Sequence, residues 1–321
     1  MRLGHLIGAA LCCAFVHASA ARAVETIQIG LVGSANSVEW EFYAGISKGF
    51  FADAGIKLDV VYVPTPSGLV QQLTAGSLDI VDIGIVEPVH AVAHGAPVAI
   101  IRVSGAVPPY ELVAKPPIAK IQDLKGHTVV IGGQVDINRV FLERVLKAAG
   151  LKDSDIDMTF VGNTAGRFAA INSGTAQATM LSPPVNFLAE ASGFNNIGYM
   201  MEYAKDLPFS ATDVSLAYAK AHHDTLVKFM AALDKSIAWF NTDANREAAI
   251  DILFAEMQNA KRDDIAKSYD YLRKIGFFPN DGKVSRKSME TLMTEMTAVG
   301  DTDSKVPVEK LLIAGLTPVG D

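Results

Sequence analysis

The chain has 321 residues, with 28 basic against 35 acidic side chains, a formal net charge of −7 and half of its residues hydrophobic. Such a balance excludes a nucleic-acid binder, because that affinity comes mainly from neutralising phosphates. Cys12 and Cys13 are the only cysteines and both lie near the N-terminus, so the rest of the chain has no disulfide, thiolate nucleophile or cysteine metal site.

The N-terminus reads as an export signal: Arg2, an apolar run from Leu6 to Val16, and small residues leading to Ala21-Arg22-Ala23. Cleavage is expected near Ala23. The run is too short to span a bilayer, and no later stretch supplies the 18 or more apolar residues that would. Neither cysteine has the small residues of a lipoprotein site before it, so a free periplasmic protein is expected. Loss of Arg2 and Arg22 leaves 26 basic against 35 acidic side chains, a net charge of −9. The remaining length exceeds one core at roughly 150 residues per domain, and two lobes are expected.

The elements then follow one pattern twice. The first copy has a strand from Ile27 to Gly33, a helix to Ala54-Gly55, a strand from Ile56 to Val63, a helix led by Gly68 to Ala75-Gly76, and a strand from Ile80 to Ile85. The second has a strand from Thr128 to Gly133, a helix to Ala149-Gly150, a strand from Ile156 to Val161, a helix led by Gly166 to Ser173-Gly174, and a strand from Ala178 to Leu181. Alternation of this kind predicts parallel βαβ units covered by helices, and the recurrence predicts two similar α/β lobes around a cleft.

An extra strand, Val98 to Val103, precedes Val107-Pro108-Pro109, where neither ladder nor helix continues. The first crossing between lobes is placed there, near residues 104–112. A second is placed at Lys205-Asp-Leu-Pro208 and a return strand from Val214 to Tyr218. Beyond Ala219 only helices are expected, at Leu226 to Phe240, Arg246 to Ala255, Asp263 to Lys274 and Ser285 to Thr297. They pack on the first lobe, which makes it discontinuous: 24–107 with 211–321, and 108–210 for the second lobe, after a signal over 1–23.

Ligands of open parallel sheets bind beyond the carboxyl ends of the strands. Six loops fall there, and they carry the candidate contacts Asn36, Trp40, Glu41, Ser67, Gly68 and Glu87 from the first copy. The second copy contributes Gln134, Asp136, Arg139, Asn163, Arg167, Ser182 and Pro183, and the first crossing contributes Tyr110. Each has a plainer reading. Ser67 fits a helix cap, Trp40 fits a core as well as a stacking platform, and Glu41 and Glu87 complement a helix dipole whatever the function. Arg139 and Arg167 can satisfy carbonyls, pair with those carboxylates or fork onto a ligand. Asp136, with Glu41 and Glu87 opposite, gives the expected cleft an acidic rim, which favours a neutral, zwitterionic or arginine-paired aromatic ligand over a simple sulfonate.

No nucleotide loop, Ser-His-Asp order or metalloprotease helix stands out, and His90 with His94 lacks a third metal ligand. No enzyme, cofactor or metal is expected. The segments Ile46-Ser-Lys-Gly-Phe-Phe-Ala-Asp-Ala-Gly-Ile56, Gln72-Leu-Thr-Ala-Gly-Ser-Leu-Asp-Ile80 and Ile121-Gln-Asp-Leu-Lys-Gly-His-Thr-Val129 together resemble ABC-transporter solute-binding proteins of the nitrate/sulfonate/taurine type. That group includes binders of thiamine-precursor pyrimidines. The resemblance, over residues 26–255, implies a type II periplasmic-binding-protein fold, a monomer that closes on a small aromatic or heterocyclic, carboxylate or sulfonate solute, and delivery to a membrane permease driven by an ATPase. It maps family ligand contacts to the loops named above. It departs from sulfonate binders where they offer Ser or Thr in the second-copy glycine loop, since Gln134 and Asp136 stand there. A periplasmic sensor is the alternative reading; a pyrimidine-precursor synthase is disfavoured by the lack of cysteine.

Overall fold

The computed structural model describes residues 24–257, 260–302 and 306–321, so the expected signal lies outside the described residues. Ten strands build two five-stranded sheets. In chain order these are β1 (Glu25–Val32), β2 (Ile56–Val63), β3 (Ile80–Gly84), β4 (Val98–Gly105), β5 (Glu111–Ala114), β6 (Thr128–Ile131), β7 (Asp157–Phe160), β8 (Ala178–Leu181), β9 (Asn195–Tyr199) and β10 (Ser210–Ser215). The first sheet has the order β2-β1-β3-β10-β4 and the second β7-β6-β8-β5-β9.

The two orders are the same once the crossings are followed. Leaving the first sheet after β4, the chain enters the second as β5, antiparallel to both β8 and β9. On leaving the second sheet after β9 it re-enters the first as β10, antiparallel to β3 and β4. Each sheet therefore owes its fourth strand to the other crossing. The crossings also bond to each other, the Phe209 amide donating to the Gly105 carbonyl at 2.8 Å.

The repeat has a local physical basis. Thr65 caps the helix Pro66–Ala75 by accepting from the Gly68 amide, and Asn163 caps Thr164–Ser173 by accepting from the Gly166 amide. A Cβ on Gly68 would stand 3.0 Å from Val63 Cγ1, and one on Gly166 would stand 2.6 Å from Val161 Cγ1. Both helices need a glycine to lie this close to the preceding strand. Both end on a left-handed glycine, Gly76 at φ 75° and Gly174 at φ 83°, which a Cβ would strain.

The expected helices form at His223–Phe240, Arg246–Glu256, Arg262–Ile275 and Arg286–Ala298, and the first two pack against Trp40–Ser47 beside the first sheet. The tail also carries a two-stranded ladder, Val284–Ser285 with Val319–Gly320, which the sequence reading did not foresee. The return strand differs from its expected place at Val214 to Tyr218. It lies at Ser210–Ser215, and Tyr218 belongs to the helix Leu216–Ala221. Every residue of this strand is buried although three of the first four are polar: Thr212 donates to Asp82 at 2.7 Å and Ser210 meets Ser104 at 2.8 Å, while both carboxylate oxygens of Asp213 lack a partner.

Aromatic rings connect the helical tail to the crossings. Trp40 meets Phe240 at 5.3 Å between centroids, Phe240 meets Phe278 at 5.0 Å, and Phe278 meets Phe277 at 4.8 Å. Phe277 meets Phe209 at 5.7 Å and Phe209 meets Tyr110 edge-on at 5.3 Å. Edge and tilted pairs of this kind add to the area they bury. The last two rings, one from each crossing, are part of the cavity wall described next.

Candidate ligand-binding site

Between the two sheets lies a cavity of about 950 Å³, counted with the space open to solvent. The turn after β1, the end of β3, the loops after β6, β7 and β8, and both crossings line it. Eight of the fourteen candidate residues are on its wall: Asn36, Glu87, Tyr110, Asp136, Asn163, Arg167, Ser182 and Pro183.

The other six stand elsewhere, each for a visible reason. Trp40 is fully buried against Phe240 and Tyr269, and its indole donates to the Ala249 carbonyl at 2.9 Å, so it anchors the helical tail. Glu41 is also fully buried, outside the wall, and both of its carboxylate oxygens lack a partner. Arg139 pairs with Asp153 and, at 3.6 Å, with Glu143. Ser67 is exposed and does not cap its helix, because Thr65 does; Gly68 serves the close approach to Val63. Gln134 is exposed on its loop.

The acidic rim expected from Glu41, Glu87 and Asp136 is present with a different membership. A short turn, Ser37–Glu39, precedes the helix that starts at Trp40, and Glu39 faces the cavity in place of Glu41. Asp82, inside β3, is the fourth carboxylate on the wall. The sequence signal for it was present: a charge within Ile80-Val-Asp-Ile-Gly is out of place in a buried parallel strand unless it is paired or used.

Burial sets the electrostatics. It raises Glu39 to about 8, with Asp82 adding to the rise and hydrogen bonds from Tyr43 and Asn36, both 3.0 Å, opposing it. Burial raises Asp82 to about 7 against donation from Thr212 and Ser104 and the nearby Arg102 guanidinium. Glu87 is pushed well above the carboxylate range by burial and then by Asp136 and Asp301. Asp136 is raised by burial and held back by Arg167, while accepting from the amide of Asn138. Asp213, fully buried in β10 behind the wall, is raised by burial and by Asp82 and Glu87.

Among the described residues Arg167 is the one basic residue of the wall. Its guanidinium donates to the carbonyl of Met180 at 3.1 Å, the carbonyl of Val161 at 3.4 Å and the hydroxyl of Thr164 at 3.1 Å, and lies 5.8 Å from the centroid of Tyr110. It ties the end of β7 and the start of its own helix to β8. Among the described residues no group of three or more His, Cys, Asp or Glu is arranged to hold a metal ion. His90 and His94 stack at 4.2 Å, and the Nδ1 of His90 is 2.9 Å from the Asp301 carbonyl.

The family model described as NMT1/THI5 like matches residues 36–246, which include most of this wall. The chain belongs to that family. YtlA of Bacillus subtilis (strain 168) is 25% identical to this NMT1/THI5-like protein over 279 residues, 84% of this chain and 82% of YtlA. The formylaminopyrimidine-binding protein of Halalkalibacterium halodurans is 25% identical over 254 residues, 76% of this chain and 74% of its own. The solved structure of the alkanesulfonate-binding protein SsuA from Xanthomonas axonopodis pv. citri, bound to MOPS, is similar at a TM-score of 0.76 and 17% identity, over 91% of this chain and 99% of that one. At this identity the likeness shows the fold alone, and the fold is that of the periplasmic binding proteins, as the sequence resemblance implied.

Proposed function

We propose that this protein captures one small organic solute between its two lobes and presents it to an ABC permease, whose ATPase drives import. The observation that carries the reading is a single cavity walled by loops from both sheets and by both crossings. A solute touching both sides stabilises the arrangement in which they meet, which is the requirement for ligand-driven closure. The binding-protein names of the relatives support the same role. The division into lobes at 24–107 with 211–321 and at 108–210, and export with cleavage near Ala23, belong to this proposal.

The wall favours binding over covalent catalysis. Among its described residues there is no histidine, lysine or cysteine to activate a nucleophile or serve as one. The reading is tested by small-angle scattering with and without a saturating solute found in a thermal-shift screen, since a ligand specific to the folded state raises its melting temperature. A smaller radius of gyration with ligand is expected; identical curves would refute closure.

A further inference from the structure

The charge of the solute can be read from which polar groups of the wall are already satisfied. Glu39 accepts from Asn36 and Tyr43, Asp82 from Ser104 and Thr212, and Asp136 from Asn138. Glu87 differs. It is 5% exposed, and its Oε2 has no hydrogen-bond partner. That oxygen lies over Gly84, also on the wall, where a Cβ would stand 2.8 Å from it. A buried carboxyl oxygen without a partner is costly to leave unmatched, and the cavity beside it is where one can arrive.

The features that would receive an anion are taken. Helix N-termini bind anions through free amides, but two that the second sheet turns toward the cavity are closed by their own side chains, Asn163 accepting from the Gly166 amide at 2.8 Å and Asp136 from the Asn138 amide at 2.7 Å. At a third, Val185–Ala191, the amides of Val185 and Asn186 are spent on the Ser182 carbonyl at 3.0 and 3.3 Å. Arg167 spends three donors on Met180, Val161 and Thr164. A sulfonate or carboxylate would face four acidic side chains for one engaged guanidinium.

Resting on the solute-capture reading above, we propose that the solute is an organic cation, an ammonium, amidinium or guanidinium on an apolar body, with Glu87 as the group that receives its charged N–H donors. The apolar part has its complement in Ile83, Val38 and the edge-on pair of Tyr110 and Phe209. Aromatic rings and a carboxyl on one wall suit a cation carrying carbon, which rings attract and the acid neutralises.

The test is calorimetric titration and thermal shift with three probe classes: agmatine and benzamidine as cations, taurine and ethanesulfonate as anions, and 4-aminopyrimidine as a neutral base. Binding of a cation, weakened about tenfold or more in Glu87→Gln as expected for loss of a charged hydrogen bond, with taurine and ethanesulfonate silent, supports the inference. Glu87→Gln replaces the buried carboxyl with an amide of nearly the same shape and is expected to fold; Glu87→Asp, which keeps the acid but withdraws it from the cavity, is the second variant and should also weaken binding. Binding of a sulfonate or of 4-aminopyrimidine without binding of either cation overturns the inference and leaves solute capture standing. Cation binding unchanged in both variants overturns the role of Glu87. Silence from all three classes overturns the cation assignment and counts against solute capture as well.

Discussion

The hydroxyl of Ser37 donates to the carbonyl of Pro183 at 2.5 Å, joining the turn after β1 to the loop after β8 across the cavity. Nearby, a Cβ on Gly33 would stand 3.2 Å from the Cβ of Asn163, so the two sides are in van der Waals reach. The arrangement is the one in which the lobes meet. Ser37→Ala removes this bond, worth about 1 kcal/mol net, from the closed state alone. Affinity for a bound solute should fall by about fivefold, while the melting temperature without solute stays the same. Calorimetry on both forms checks this; a lowered melting temperature without solute would mean that Ser37 supports the fold itself.

Trp40 is a stability residue. Its ring lies between Phe240 and Tyr269 and its N–H is spent on Ala249. Trp40→Ala should cost about 3–5 kcal/mol in a urea titration, as for other large aromatics removed from a core. Solute affinity, measured where the variant is still folded, should stay within about twofold of the parent's, since the nearest wall residue is Glu39 and not Trp40.

Particular residues show how far the sequence could be read. The strands β2 and β8 begin and end where the recurring pattern puts them, although β8 is buried throughout and β2, at the edge of its sheet, is buried only at Ile56, Leu58 and Val63. The return strand was displaced because Ser210, Thr212 and Asp213 are buried polar residues, and hydrophobic pattern cannot distinguish those from a loop. The loops of the site were legible from the repeat, but the direction of single side chains was not. Glu39 and Glu41 are two residues apart, yet only the first reaches the cavity, and that depends on a three-residue turn before the helix. Asp82 and Glu39 could have been found by asking of each acid in an apolar segment what would pair with it.

Arg139 lies on the helix that Asp136 caps but directs its guanidinium to Asp153 and Glu143. Asp153 is partly exposed, so the pair is screened by solvent and its loss should be mild. Arg139→Gln is expected to lower stability by about 1 kcal/mol and to leave solute affinity within about twofold. Chemical denaturation and a binding isotherm on the same sample separate the two effects; a tenfold loss of affinity with unchanged stability would return Arg139 to the site.

The wall carboxylates make stability depend on pH in a definite direction. Glu39 is raised from 4.5 to about 8 and Asp82 from 3.8 to about 7, in both cases chiefly by burial. A carboxyl raised in the folded state holds its proton where the unfolded chain has lost it. The folded state is therefore favoured at low pH, and that contribution declines as pH rises from the unfolded values near 4 through the folded ones near 7 and 8. Each unit of difference corresponds to about 1.4 kcal/mol, so the solute-free protein should lose on the order of a few kcal/mol between about pH 5 and pH 8. Melting temperatures across that window should fall, and Glu39→Gln, which cannot ionise, should flatten the decline. Ionised carboxylates at the upper end would attract a cationic solute more strongly, so such a solute should restore more stability at about pH 8 than at pH 5. A melting temperature that rose with pH in the solute-free protein, or a Glu39→Gln profile as steep as the parent's, would show that these acids are paired more completely than their hydrogen bonds indicate.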